Sequence, residues 1–407
     1  MLQIHRADWI LPIARPPVRD AWVAVDAGRI IAFGGPADAP PGPHLYQPSP
    51  AEDPRGGPRV AILPGLVNAH VHLELSWMRG QVPRAASMPR WIERLMALRR
   101  TVGSEPQDPI AAAIAEAQAT GTTLVGDITN TLAAYEALLD SELSAAVFYE
   151  LLGFSVPNPQ ELIAAAASRI EALTPIGWLR PTIVPHAPYS VSPDLLRAIG
   201  AAAGDRPISI HLGESPEEIE FLRAGTGAWR ALLSSLRVWN DNWTPPQSGP
   251  VAYLDSFGLV DERLLAVHCV QLSDEELAHL AAARATIVTC PRSNAWTGAG
   301  DPPVDRFYDS GARVAIGTDS LASVDDLDMF NEIAAVRRLA PRVAASRILE
   351  SATRAGAEAL GFGNEFGTID AGKNAALLAV RVPQDVEDVE EYLVSGVPSA
   401  DVRWLDC

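Results

Sequence analysis

The chain has 407 residues, 48% of them hydrophobic and 20% charged. That balance supplies a large core and excludes a disordered chain. The formal net charge of -18 opposes a nucleic-acid partner, and no apolar run approaches the ~20 residues of a membrane span.

Taken in chain order, residues 1–60 read as short strands. Segment 21–34 is a pair of β-like runs around Asp26-Ala27-Gly28-Arg29, a hairpin pattern. The apolar stretch from Trp9 to Ile13, between Asp8 and Arg15, is too short for a signal peptide. Residues 36–59, rich in Pro and Gly, read as a loop. From 61 onward, eight short apolar runs alternate with helical patterns. The runs are 62–71, 122–127, 145–152, 180–185, 207–212, 264–269, 286–290 and 314–318. Helical patterns cover 109–119, 134–140, 159–173, 193–202, 216–223, 274–283 and 302–310, and an amphipathic helix covers 343–361. Segment 224–252, with Trp229, Trp239 and Trp243, is a long interruption. Short β-like runs return at 366–380 and 386–405.

Eight strand–helix units over about 250 residues have the size of a (β/α)8 barrel, the TIM barrel. An open doubly wound sheet is the alternative, weakened because no Gly-x-Gly-x-x-Gly follows an early strand. The expected fold is therefore α/β, a (β/α)8 barrel over 61–362. A small β-sandwich domain is built from both chain ends, 1–60 and 363–407. Cysteines Cys269, Cys290 and Cys407 are too sparse for a disulfide framework and suit a reducing, cytoplasmic setting.

Five of the eight histidines, His70, His72, His186, His211 and His268, fall at or just beyond the end of an expected strand. Asp319 follows the eighth strand in Ile-Gly-Thr-Asp-Ser. The C-terminal rim is where barrel active sites form. On a strand, positions i and i+2 share a face, so His70 and His72 offer half of a tetrahedral metal site. With His211 and Asp319 they supply three imidazoles and a carboxylate, a set suited to zinc, which lowers the pKa of a bound water to about 7. The plainer alternative is that the two histidines only fill a barrel mouth.

Glu214, three residues after His211, can shuttle a proton beside that site; otherwise it caps the acidic helix that follows. His268 can orient the attacking oxygen or sit in the core. His186, in a Pro-flanked turn, can donate to a heteroaromatic ring or stabilise its turn. Arg292, Ser293 and Asn294 are candidate rim contacts, and the Cys290 thiol is expected to be buried and inert.

The motifs Pro-Gly-Leu-Val-Asn-Ala-His-Val-His, His-Ala-Pro-Tyr-Ser, His-Leu-Gly-Glu-Ser, Val-His-Cys, Cys-Pro-Arg-Ser-Asn and Gly-Thr-Asp-Ser occur in this order. Together they resemble the amidohydrolase superfamily, in the branch of adenosine-type, guanine and methylthioadenosine deaminases and triazine chlorohydrolases. The resemblance covers almost the whole chain. It implies one divalent metal, zinc or iron, on His70, His72, His211 and Asp319. It also implies Glu214, His268 and Asp319 as catalytic groups and His186 against a purine-like ring.

After the second histidine the stretch Leu-Glu-Leu-Ser, then Trp91, then Arg99 and Arg100, is more similar to aminofutalosine deaminases of the alternative menaquinone route. By that similarity Glu74, Trp91, Arg99 and Arg100 join His186 as expected substrate contacts, beside the rim candidates Arg292 and Ser293. A guanidinium suits a benzoate carboxylate; solvated helix charges are the alternative for the two helix arginines.

The expected activity is metal-dependent hydrolytic deamination of an aminopurine-like nucleoside, aminofutalosine-like rather than plain adenosine. The expected partner is a small molecule, with neither nucleic acid nor membrane, and the expected assembly is a homodimer. Dechlorination of a triazine, another C–N cleavage, a non-enzymatic barrel and hydride transfer are the competing readings. The zinc deaminases with a Pro-Cys-x-x-Cys signature are excluded, because the three cysteines contain no such pair.

Overall fold

The structure, a computed structural model, describes residues 2–38, 59–102 and 106–406. Most of the expected loop 36–59, and Cys407, lie outside the described residues.

The N-terminal part gives β1 (Gln3–Ile10), β2 (Val18–Asp26), β3 (Arg29–Gly34) and β4 (Arg59–Pro64). The barrel follows with β5 (Leu66–Val71), β6 (Thr122–Thr129), β7 (Ser144–Leu151) and β8 (Leu179–Pro185). It continues with β9 (Ile208–Leu212), β10 (Leu264–His268), β11 (Thr286–Thr289) and β12 (Arg313–Ile316). The C-terminal part adds β13 (Leu377–Val382) and β14 (Val402–Trp404). Both ends meet in one six-stranded sheet of order β14-β13-β4-β1-β2-β3. The β2–β3 hairpin turns where its sequence places it, with Ala27 (φ 50°) and Gly28 (φ 72°) both left-handed, as a two-residue primed turn requires.

The apolar run 62–71 divides into two strands. β4 pairs with β13 in the small sheet, with Ile62 opposite Ala379, and β5 enters the barrel. The small-sheet strand therefore extends to Pro64, four residues beyond the boundary read from sequence. Both halves are buried, so hydrophobicity carries no sign of the break. Only Pro64-Gly65 marks it, and a Cβ on Gly65 would sit 2.8 Å from Thr123.

The eight barrel strands form two parallel arcs, β5-β6-β7-β8 and β9-β10-β11-β12. β5, β6 and β7 are buried at every position, the pattern of parallel strands covered on both faces. β8 lies against β9 and β12 against β5, which closes the barrel. At one seam the His211 amide donates to the His186 carbonyl at 3.0 Å. At the other the Asp319 amide donates to the His70 carbonyl at 3.0 Å. Asn68 reinforces this second seam: its Oδ1 accepts from the Thr318 amide at 3.0 Å and its Nδ2 donates to Thr318 Oγ1 at 2.7 Å. Asn68→Ala leaves a fully buried amide without its partner. It is expected to cost about 1–3 kcal/mol, read as a lower midpoint in urea unfolding.

Helix starts follow local chemistry. Asn158, Ser192 and Ser215 each cap a helix whose next residue is proline, and Ser273 forms a reciprocal capping box with Glu276. The expected helix 343–361 is two helices, Ala345–Ser351 and Arg354–Ala359, separated at Thr353 (φ -139°, ψ -94°). Helices Pro291–Thr297 and Met329–Leu339 are additional to the sequence reading, as are the bounds of the helix that carries Arg99, Met88–Arg99.

Segment 224–252 is ordered by its aromatics and carries helices Gly227–Ser235 and Pro250–Asp255. Trp229 stacks on Tyr189 at 4.1 Å, Trp239 on Phe154 at 5.5 Å and Trp243 on Phe221 at 4.7 Å between ring centroids. No helix among the described residues is long and apolar enough to cross a membrane.

Candidate active site

At the end of β5, Val71 packs outward with Leu73, Ile110 and Ile114. The alternation of a strand then sends His70 and His72 to the opposite face, into the barrel mouth. Gly317 makes room for His70, since a Cβ there would sit 2.8 Å from its backbone and Cβ. β9 ends at His211 and Leu212, after which Gly213, at φ 59°, turns the chain to Glu214. Both oxygens of Glu218 fasten that turn, accepting from the Gly213 amide at 2.9 Å and the Glu214 amide at 3.1 Å. His268 and Asp319 adopt left-handed backbone, at φ 73° and 62°. Such geometry is costly for residues other than glycine and tends to persist at functional positions.

These turns bring the side chains together. Ligand atoms of His70, His72 and His211 lie within 4.8 Å of one another, as do those of His70, His268 and Asp319. His72 Nε2 is 3.6 Å from Asp319 Oδ1. The fit to a cation rests on His70. It is fully buried, and neither ring nitrogen has a hydrogen-bond partner among the described residues. A buried imidazole in that state is expensive unless something accepts its lone pair. Burial, followed by the four neighbouring imidazoles, holds its pKa well below the ordinary value, so it is neutral and able to ligate.

His211 is set up differently: its Nδ1 is 2.9 Å from the His186 carbonyl, which can only accept, so Nδ1 carries a proton and only Nε2 can face a cation. Burial would lower its pKa, but Glu150 outweighs burial and raises it to about 9, so a cation held there displaces the Nε2 proton. Asp319 is braced from both sides, by Ser293 Oγ at 2.5 Å on Oδ2 and the Ser320 amide at 2.6 Å on Oδ1. Burial would raise its carboxyl, but His72 and His268 outweigh burial and keep it low. Three clustered imidazoles, with a carboxylate 3.6 Å from one of them, suit a divalent cation held at roughly 2 Å.

Glu214 and His268 stand beside this cluster, with His268 Nε2 3.6 Å from Glu214 Oε1. Asn294 Nδ2 lies 3.0 Å from His268 Nδ1, and as placed it donates, leaving the ring proton on Nε2. Burial, with Asp319 and Glu218 adding to it and His211 opposing, pushes the Glu214 carboxyl up to about 8. A proton carrier in that range can both give and take near neutral pH.

A cavity of about 250 Å³ opens over these groups, and Trp91, Arg99 and His186 line it. The other residues expected at the substrate fall elsewhere. Arg100 faces an outer groove with Arg90 and Glu93. Arg292 is spent on Glu332 at 2.5 Å and Asp326 at 2.8 Å, clamping helix Pro291–Thr297 to helix Met329–Leu339. Ser293 bonds to Asp319, not to the open cavity. Glu74 is buried, and its carboxylate accepts from Thr129, Asn130 and Thr131. A helix start beside a charged pair and a buried loop anchor explain why these polar residues resembled contacts in the sequence.

Sequence reasoning missed Glu150, Asn130 and the bracing role of Asn294. Glu150 lies near the end of β7, lines the cavity and comes within 3.3 Å of His211 Nδ1. Burial would raise it, but His186 first and then His211 and His72 hold it down at about 2, a carboxylate. Its one signal was a carboxylate near the end of an otherwise apolar barrel strand.

The model of the amidohydrolase family matches residues 61–399. A 5-methylthioadenosine/S-adenosylhomocysteine deaminase of Moorella thermoacetica is 31% identical over 97% of this chain and 90% of that protein. An aminodeoxyfutalosine deaminase of Deinococcus radiodurans is 31% identical over 77% of this chain and 76% of its own length. The crystal structure of an adenosine deaminase from Xanthomonas campestris, with bound zinc, superposes with a TM-score of 0.81. It is 28% identical and covers 98% of this chain and 90% of that one. With the barrel, the split β-domain and the histidine–aspartate cluster in place, the chain belongs to the amidohydrolase family.

Proposed function

We propose that the chain is a metal-dependent hydrolytic deaminase of an aminopurine nucleoside carrying a bulky, largely apolar arm that ends in a carboxylate, as aminofutalosine does. The chain is a hydrolase of C–N bonds with a site for a divalent metal; zinc and the particular substrate are the proposal. The observation that carries the substrate class is a second cavity. About 330 Å³ in size, it shares Ile92, Met96, Leu152 and His186 with the catalytic cavity. Its remaining wall is apolar and aromatic, with Trp229, Leu232 and Leu236 from helix Gly227–Ser235 and its flank. Leu152 and Val238, 48% and 37% exposed, form part of its lining and suit a ligand that would cover them. A base and sugar over the histidines leave this annexe for the arm. Arg99 lines the catalytic cavity, not the annexe, and is the one guanidinium lining either among the described residues, so the arm's carboxylate would turn back toward the shared wall of Ile92 and Met96 to meet it.

The metal, when bound by His70, His72, His211 and Asp319, supplies Lewis acidity to an oxygen nucleophile. Asp319 and His268 hold the attacking water at the amidine carbon. Glu214 takes one proton from the water and passes it to the ring nitrogen, then takes the second from the new hydroxyl and delivers it to the amino group as the C–N bond breaks. Water and the aminopurine leave as ammonia and the oxo product. His186 stands at the junction of the two cavities, its Nδ1 occupied by Ser190 Oγ at 2.6 Å and its ring available to the base.

An ammonia-release screen over aminofutalosine, methylthioadenosine, S-adenosylhomocysteine, adenosine and guanine tests this reading. Aminofutalosine is expected to give the highest kcat/KM. Arg99→Ala is expected to raise its KM about tenfold, the loss of one hydrogen bond to a charged group, with kcat unchanged. The same variant should leave methylthioadenosine unaffected. Equal kcat/KM on plain adenosine would overturn the assignment of the arm. A methylthio arm also suits the apolar annexe, and an Arg99→Ala variant indifferent on every substrate would favour it.

A further inference from the structure

Two carboxylates in the barrel mouth have no part in the reaction just described, and the structure links them. Glu74, in the short 3-10 helix Leu73–Met78 after the second histidine, is buried. Its Oε2 accepts from Thr129 Oγ1 at 2.6 Å and Thr131 Oγ1 at 2.7 Å, and its Oε1 accepts from the Asn130 amide at 2.9 Å. These bonds fix the turn that leaves β6. The side chain of Asn130 then reaches β7, where Nδ2 donates to the Glu150 carbonyl at 3.1 Å and to Glu150 Oε2 at 3.0 Å. The other oxygen of Glu150 lies 3.3 Å from His211 Nδ1. A continuous path of hydrogen bonds and one ion-pair contact thus runs from Glu74 through Asn130 and Glu150 to His211.

Glu150, His186 and His211 also lie close enough to hold a cation of their own. His211 argues against that use. Its Nδ1 already gives its proton to the His186 carbonyl at 2.9 Å, so the lone pair a second cation needs is not there. A carboxylate on the far nitrogen of an imidazole instead holds the ring in place and makes the near nitrogen a better donor.

We propose that Glu150, anchored through Asn130 to Glu74, is a positioning residue that orients His211 for the divalent cation and balances its charge. Glu74, the first carboxylate after the histidine pair, is on this account the foot of a brace, and the substrate never touches it. The inference rests on His211 being a metal ligand.

Metal retention tests it without recourse to activity. Wild type, Glu150→Ala, Glu150→Gln and Glu74→Ala are loaded with zinc and titrated with a chelator, and bound metal is read by elemental analysis. Glu150→Ala is expected to weaken retention about 10- to 100-fold. Glu150→Gln keeps an oxygen for His211 or Asn130 but not the charge, and should recover only part of that loss. Glu74→Ala should fall between wild type and Glu150→Ala. Activity per bound metal should stay within a few-fold of wild type in all three. Where Glu150→Ala fails to fold, as judged by circular dichroism, Asn130→Ala at a half-buried loop position frees the same carboxylate. Glu150→Ala, or Asn130→Ala in its place, holding zinc like wild type while KM rises would overturn the proposal and make Glu150 a substrate contact. Wild type that binds no zinc would instead overturn the metal reading itself, so the two failures are distinct.

Discussion

Glu214→Gln is expected to lower kcat by about 100- to 10,000-fold while KM and bound metal stay near wild type. The amide has the size of the carboxyl and can accept one hydrogen bond, so the turn over Gly213 should survive. That turn is held by backbone donors to Glu218, not by the Glu214 side chain. The amide cannot carry a proton from the attacking water to the ring nitrogen. Glu214 is 1% exposed, and its Oε2 has no partner among the described residues. A buried carboxyl oxygen facing an open cavity is placed for proton transfer and contributes little to stability. Steady-state ammonia release and metal analysis on one preparation check this. A loss under tenfold would remove Glu214 from the proton path.

The second large effect concerns His70. His70→Ala removes the imidazole shared by two of the three three-residue groups, which between them contain all four proposed ligands. The remaining side chains keep their own supports, His211 from the His186 carbonyl and Asp319 from Ser293 and Ser320. The expected result is a folded protein that has lost its cation and about 1,000-fold or more of its activity. Lewis-acid stabilisation of the transition state is worth several kcal/mol, and each 1.36 kcal/mol is about tenfold in rate. Near-ultraviolet circular dichroism separates this outcome from unfolding. An active, metal-free His70→Ala variant would refute the role given to the cluster.

These residues show how far the sequence could be read. His70, His72, His211, His268 and Asp319 were visible because each ends an apolar run, and a polar residue there has one place to go in a closed parallel barrel. Glu214 was visible through its spacing from His211. Glu150 and Asn130 sit at similar ends but act through contacts between neighbouring strands, which no local spacing encodes. Glu74 and Arg292 show the converse. Their residue types suit a ligand, yet Glu74 is consumed by the β6 turn and Arg292 by Glu332 and Asp326. Arg99 and Arg100 are adjacent in sequence, and the helical rotation between them sends one to the cavity and the other to the outer groove. The passage from small sheet to barrel at Gly65 was hidden because both sides of it are buried.

Elemental analysis of the purified wild-type chain, expressed with supplemented metal, tests the central claim most directly. The arrangement of His70, His72, His211 and Asp319 predicts about one divalent metal per chain, and none in His70→Ala. A wild-type protein that carries no metal, and whose ammonia release is indifferent to a strong chelator, would contradict it.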